Sequence, residues 1–211
     1  MKPHRFVPVL LVVLAALASS VTSASARNLS LSNQHIRITF STVTFGAVTV
    51  RCRVTLEGSL HARTHAKVGG LLIGYITRGD IARQCTEPFG VASLAWFLTL
   101  AEGLGVETLP WHLRYQGFAG TLPNITTVSW QIVGMAWRAQ DSTASCLSIT
   151  TTAQPAFLDL EVGPGGPIVR ARFNEAHRIR SSCGTEFALF SDGGEMTVLE
   201  NSSVKITVTL I

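Results

Sequence analysis

Lysine is close to missing from this chain: three occur in 211 residues, and charged residues of all kinds make up only 14%. Beyond the first 26 residues, 15 Lys+Arg face 13 Asp+Glu, so the sequence pI of about 9.2 overstates any pull on phosphates. Binding driven by neutralising a nucleic-acid backbone is therefore not expected. Aspartate is scarce as well. Asp80, Asp141, Asp159 and Asp192 all lie near turns or strand ends, and none forms a pair with the spacing a glycosidase would advertise. There is no G-x-S-x-G elbow and no glycine-rich phosphate loop. No C-x-x-C occurs, which excludes the simple zinc knuckle and the redox dithiol. These absences assign no catalytic residue, no metal and no cofactor.

Long apolar runs are also absent, with one exception. Lys2, His4 and Arg5 precede an apolar stretch from Phe6 to Ala18, and Ser19 to Ala26 is small and polar, closing on Ala24-Ser25-Ala26. That order is a secretory signal peptide over residues 1–26 with an A-x-A cleavage site. Its apolar part falls short of the ~20 residues a spanning helix needs. No later stretch is long and charge-free enough, so no membrane span is expected after cleavage. The expectation is a secreted, extracellular protein of one β-rich domain, residues 27–211, with a candidate lobe boundary near 140–145.

Export changes the meaning of the four cysteines. Cys52, Cys85, Cys146 and Cys183 all follow the leader and form an even set in what would be an oxidising compartment. Three pairings exist, and neighbours in sequence, 52 with 85 and 146 with 183, are the favoured one. Each would close a loop of about 35 residues, worth roughly 3.5–4 kcal/mol in the chain-entropy model.

Most of the remaining sequence alternates with period two. Val48, Val50, Cys52, Val54 and Leu56 share one face, as do Leu109, Trp111, Leu113 and Tyr115, with His112, Arg114 and Gln116 opposite. Glycine, proline and Asn/Asp/Ser clusters such as Gly163-Pro164-Gly165-Gly166-Pro167 punctuate ten or more such runs. This pattern predicts a mainly β fold, an antiparallel sandwich or barrel. One segment departs from it. Over residues 59–78, Leu60, Val68, Leu71, Leu72, Tyr75 and Ile76 recur largely at i, i+3, i+4, which predicts a helix despite Gly69, Gly70 and Gly74. Leu31 to Thr39 also echoes Leu199 to Thr207; two such strands could pair or occupy equivalent places, although chance similarity between β patterns is the favoured reading.

Candidate binding residues fall into three groups. Trp111, His112 and Tyr115 adjoin a glycine-rich turn and could line a carbohydrate or peptide groove, although Trp111 and Tyr115 share the inward face. Arg170, Arg172, Arg178 and Arg180 flank Asn174-Glu175-Ala176-His177. In a hairpin with an odd loop they would share one sheet face, where an anion or acidic polymer could bridge them. His61 and His65 would share a helix face at metal-ligand spacing, but Ala62 stands where a metalloprotease has Glu and no third ligand is signalled, so a solvated pair is expected.

Gly58-Ser59-Leu60-His61, Leu72-Ile73-Gly74-Tyr75-Ile76-Thr77-Arg78, Leu109-Pro110-Trp111-His112 and Gly120-Thr121-Leu122-Pro123-Asn124-Ile125 resemble a group of uncharacterised exported bacterial proteins. The resemblance covers roughly residues 30–150. It implies export and carries no activity or site residue with it. The sequence thus points to a non-enzymatic extracellular or surface module that binds or builds, with a secreted hydrolase whose site assembles only in three dimensions as the alternative.

Overall fold

The computed structural model describes residues 28–45, 50–82, 85–87, 90–96, 109–140, 145–174, 178–184 and 186–211. The leader and residues 141–144 lie outside that set. The described residues form strands and turns and contain no helix. In chain order the strands are β1 (Asn28–Leu31), β2 (His35–Phe45), β3 (Val50–Leu60), β4 (Thr64–Ala66), β5 (Leu72–Ile81), β6 (Cys85–Glu87), β7 (Gly90–Trp96), β8 (Trp111–Thr121) and β9 (Asn124–Val133). There follow β10 (Ala136–Gln140), β11 (Ser145–Ile149), β12 (Ala156–Val162), β13 (Ile168–Phe173), β14 (Arg178–Arg180), β15 (Glu186–Ser191), β16 (Gly194–Val198), β17 (Asn201–Lys205) and β18 (Val208–Leu210).

Eight of these close on themselves. The order β3-β5-β8-β9-β12-β13-β16-β2 returns to β3 because β2 and β3 also pair, and the ladders are antiparallel. An eight-stranded barrel is just wide enough to be filled by side chains, and this one is filled. Phe40, Leu56, Ile76, Trp111, Leu113, Val128, Trp130, Ile132, Leu158 and Leu160 are all buried in one cluster, with Phe40 stacked on Phe173 at 5.0 Å. The alternation along β8 and β9 puts their apolar residues on this inner side, which is why closure leaves no lumen.

A small sheet, β18-β1-β4, adds Leu29, Leu31 and Val208 to the same core, and Ile206 beside it does likewise. On the other side, β2 and β3 run past the barrel into a second circuit. At a bulge between Phe40 and Val43 the register shifts, and Val43–Phe45 pairs with β15. From there β15 pairs with β14, while β3 pairs with β6, β6 with β7, β7 with β10 and β10 with β11. A bridge between Ser148 and Ser181 joins β11 to the end of β14 and completes the ring. Gln140 faces Ser145 across β10 and β11, so strands pair on both sides of the 140–145 segment.

Both expected disulfides are present, Cys52–Cys85 and Cys146–Cys183, with Cα separations of 4.6 and 5.4 Å. They belong to different parts of the sequence but to the same circuit. The first ties β3 to β6, the second ties β11 to the turn after β14.

The helix expected over 59–78 is not formed; the end of β3, a turn carrying β4, and β5 occupy it. Two bulges explain the helical spacing. Register shifts between Glu57 and Gly58 and between Leu72 and Gly74 each insert a residue. Ile73, Ile76 and Gly79 therefore face inward three apart rather than two. Gly70, at φ 79°, turns the chain where a helix interior was expected, and Val68 and Leu71 are exposed.

The echo between the two chain ends has a structural counterpart. Asn33 Oδ1 accepts from the His35 amide at 2.9 Å, and Asn201 Oδ1 accepts from the Ser203 amide at 3.1 Å. The same Asx turn thus opens β2 and starts β17. β2 pairs with β16, the strand before that second turn, with Ile36 opposite Val198.

Candidate functional site

Trp111 and His112 are adjacent on β8, and the strand's alternation sends them to opposite sides. Trp111 is fully buried, its ring edge lying against Gly79 on β5, where a methyl group would sit only 3.1 Å from it. Tyr115 is also in the core, and burial pushes its hydroxyl pKa up. These two rings stabilise the barrel and leave no aromatic groove of the kind their sequence neighbourhood suggested.

His112 points to the outer wall, half-buried, and meets a different partner. β5 and β8 pair with Tyr75 opposite His112, and the two rings approach edge-on with centroids 5.4 Å apart. On the far side of Tyr75 lies His61, 5.0 Å away. The turn that carries His61 is held firmly: its amide donates to the Ile73 carbonyl at 2.9 Å, and Gln34 Nε2 donates to the His61 carbonyl at 3.1 Å. His61, Tyr75 and His112 thus make a row of three rings across the end of β3, β5 and β8. Further along β8, the Lys67 ammonium sits 5.2 Å above the Phe118 ring. The rings are inclined to one another by 56° and 61°, so the row is uneven rather than one flat platform, with imidazole nitrogens as donors and acceptors on either side of the Tyr75 ring. Tyr75 was absent from the sequence candidates because the segment around it reads as helical.

The four arginines do not lie on the two strands of one hairpin. β13 pairs with β12 and β16, whereas β14 pairs with β15, so the hairpin that would have aligned them does not form. Arg172 Nε lies 3.3 Å and Arg170 Nε 3.9 Å from the carboxylate of Glu161 on β12. Arg170 also lies across Gly193 and lines an open groove of about 460 Å³ with Arg53, Asp192 and Glu195. Carboxylates therefore accompany both of these guanidinium groups; exposed pairs of this kind contribute about 0–1 kcal/mol. The side chains of Arg178 and Arg180 lie outside the described residues.

Two buried polar features were not signalled in advance. Asp159, 8% exposed on β12, accepts from Ser129 Oγ at 2.6 Å and from Asn174 Nδ2 at 2.8 Å. His65 is not solvated, contrary to expectation, because it sits on β4 opposite Leu29 rather than on a helix face. It is 6% exposed, and its Nε2 has no hydrogen-bond partner. Burial, and then the nearby His61, lower its pKa. Among the described residues no group of three or more His, Cys, Asp or Glu is arranged to hold a metal ion.

No family model, curated protein or solved structure matches this chain. The functional reading therefore rests on the geometry of the barrel wall.

Proposed function

We propose that this chain is an exported, non-enzymatic binding module that meets carbohydrate through the ring-bearing outer wall of its barrel. The observation that carries the reading is the His61–Tyr75–His112 row, held on the outside of a barrel whose interior is taken up by Phe40, Trp111 and Trp130. A filled barrel cannot admit a ligand as a lipocalin-like one does, so recognition falls to the wall. The ring C–H edges and faces offer apolar contacts and the imidazole nitrogens hydrogen bonds to a saccharide, and aromatic contacts contribute about 0.5–1.5 kcal/mol each beyond the area they bury. The two disulfides are compatible with an extracellular location, and the leader-like N-terminal segment supports export.

The test is a glycan array read with the purified exported chain and with Tyr75→Ala and His112→Ala variants. Saccharide binding that falls about tenfold in Tyr75→Ala, at an unchanged melting temperature, is the expected result. An array without signal, together with hydrolysis of a panel substrate that is lost in His112→Ala, would replace this reading with the secreted hydrolase.

A further inference from the structure

A second surface, separate from the ring row, has the build of a slot for a peptide strand. At the end of the barrel that carries β18, the β8–β9 turn, the Gly163–Gly166 turn and β18 enclose a groove of about 650 Å³. That volume lies within the usual range for ligand sites. Its floor is apolar: Ile125, Val162 and Leu210 are partly buried against the core. None of its lining residues is charged.

Strand edges form two of its walls. β18 is the outer strand of the β18-β1-β4 sheet. Asn28 and Ile211 exchange both amide bonds, at 3.1 and 3.2 Å, and Leu29 faces Leu210 in the register. The alternation of an antiparallel ladder then turns the Leu210 N–H and C=O away from β1. Two residues earlier, the Val208 amide points the same way and donates to the Gly166 carbonyl at 2.7 Å. The turn ends there, and Leu210 faces the groove. Across it, the β9–β12 ladder stops at Thr127 opposite Glu161, so Asn124–Thr126 of β9 run on past the last paired residues. Gly166, at φ 94°, leaves room for this arrangement, since a methyl group there would lie 2.4 Å from the Val208 carbonyl oxygen.

We infer that this groove takes an extended, uncharged peptide segment of a partner protein, which adds a strand beside Leu210 and places apolar side chains, at alternate positions, on Ile125, Val162 and Leu210. Main-chain bonding to a free edge is what strand addition requires. The uncharged lining selects against Lys, Arg, Asp and Glu, whose burial without a partner is costly. A second copy of the chain is the weaker occupant. A slot one strand wide cannot supply the roughly 800 Å² per partner of a standard interface.

The test uses the purified exported chain and the blocked peptide acetyl-Val-Thr-Val-Thr-Val-amide, followed by amide chemical shifts. Saturable binding is expected, with shifts confined to the groove, and no binding of the Glu-for-Val or Lys-for-Val peptides. A version of the probe N-methylated at alternate amides should bind about tenfold more weakly. So should the wild-type peptide to Leu210→Pro, which lacks the edge amide, whereas Leu210→Met should bind as the natural chain does. Tyr75→Ala should leave this binding unchanged, so failure here is distinct from failure of the carbohydrate reading. Equal affinity for the N-methylated probe, or no saturable binding, would overturn the inference. So would a dimer in the absence of peptide that Leu210→Pro turns into a monomer, which would make the occupant a second copy.

Discussion

Acidification should loosen this protein through His65. The imidazole is 6% exposed on β4, its Nε2 is unpartnered, and burial followed by His61 hold its pKa below the ordinary 6.5. In the unfolded chain the same group takes up a proton near pH 6.5. The unfolded state therefore binds more protons than the folded state once the pH drops below that value. Stability is full above about pH 6.5 and declines below it, until folded His65 is itself protonated. One such group contributes a slope of at most about 1.4 kcal/mol per pH unit. Against a total of roughly 5–15 kcal/mol, a fall over one unit is measurable. The loss should fall first on the small sheet, because β4 is its edge and His65 lies opposite Leu29 on β1. Urea unfolding at a series of pH values between about 7.5 and 5, for the natural chain and for His65→Leu, isolates the contribution. Leucine fills the site, cannot be protonated and removes the orphaned nitrogen. The variant should lose less stability on acidification, and the gap between the two should widen toward acid. Parallel curves would mean that His65 does not govern the loss of stability in acid.

Three further outcomes follow from the packing. Replacing Cys146 and Cys183 together by alanine opens a loop of sequence separation 37 and should lower urea stability by about 4 kcal/mol. Gly58→Ala puts a methyl group 2.4 Å from the Tyr75 carbonyl oxygen and should cost about 1–3 kcal/mol by thermal unfolding, whereas Gly117→Ala meets nothing within 4 Å and should stay within about 0.5 kcal/mol. Asp159→Ala deprives Ser129 and Asn174 of their shared acceptor and should cost about 1–3 kcal/mol by calorimetry; a smaller loss would mean that water replaces the carboxylate.

The strands were legible in the sequence because alternation survives wherever the ladder is regular. Cys52, Val54 and Leu56 on β3, and Trp111, Leu113 and Tyr115 on β8, face inward as their spacing predicts. The disulfide pairing was legible too, since each loop joins the nearer cysteine. The segment 59–78 misled because bulges insert residues into β3–β5 and β5–β8, and a strand with two bulges can present inward residues three apart. That error concealed Tyr75, the middle ring of the row. Closure of the barrel and the separation of β13 from β14 depend on pairings between distant segments, which local periodicity does not encode. His65 and the Asp159 cluster were hidden for a similar reason: burial of a polar side chain is decided by what folds over it.

Both covalent links sit in the circuit that β6, β7, β10, β11, β14 and β15 build with the extensions of β2 and β3; the first is anchored at Cys52 on β3, opposite Val43 past the bulge, and neither joins two strands of the eight-stranded ring to each other. Thiol chemistry therefore acts on one end of the molecule only. A reductant should slacken that end while the wall with His61, Tyr75 and His112 keeps its shape, so the ring row and the reducible bonds occupy separate regions of a single polypeptide.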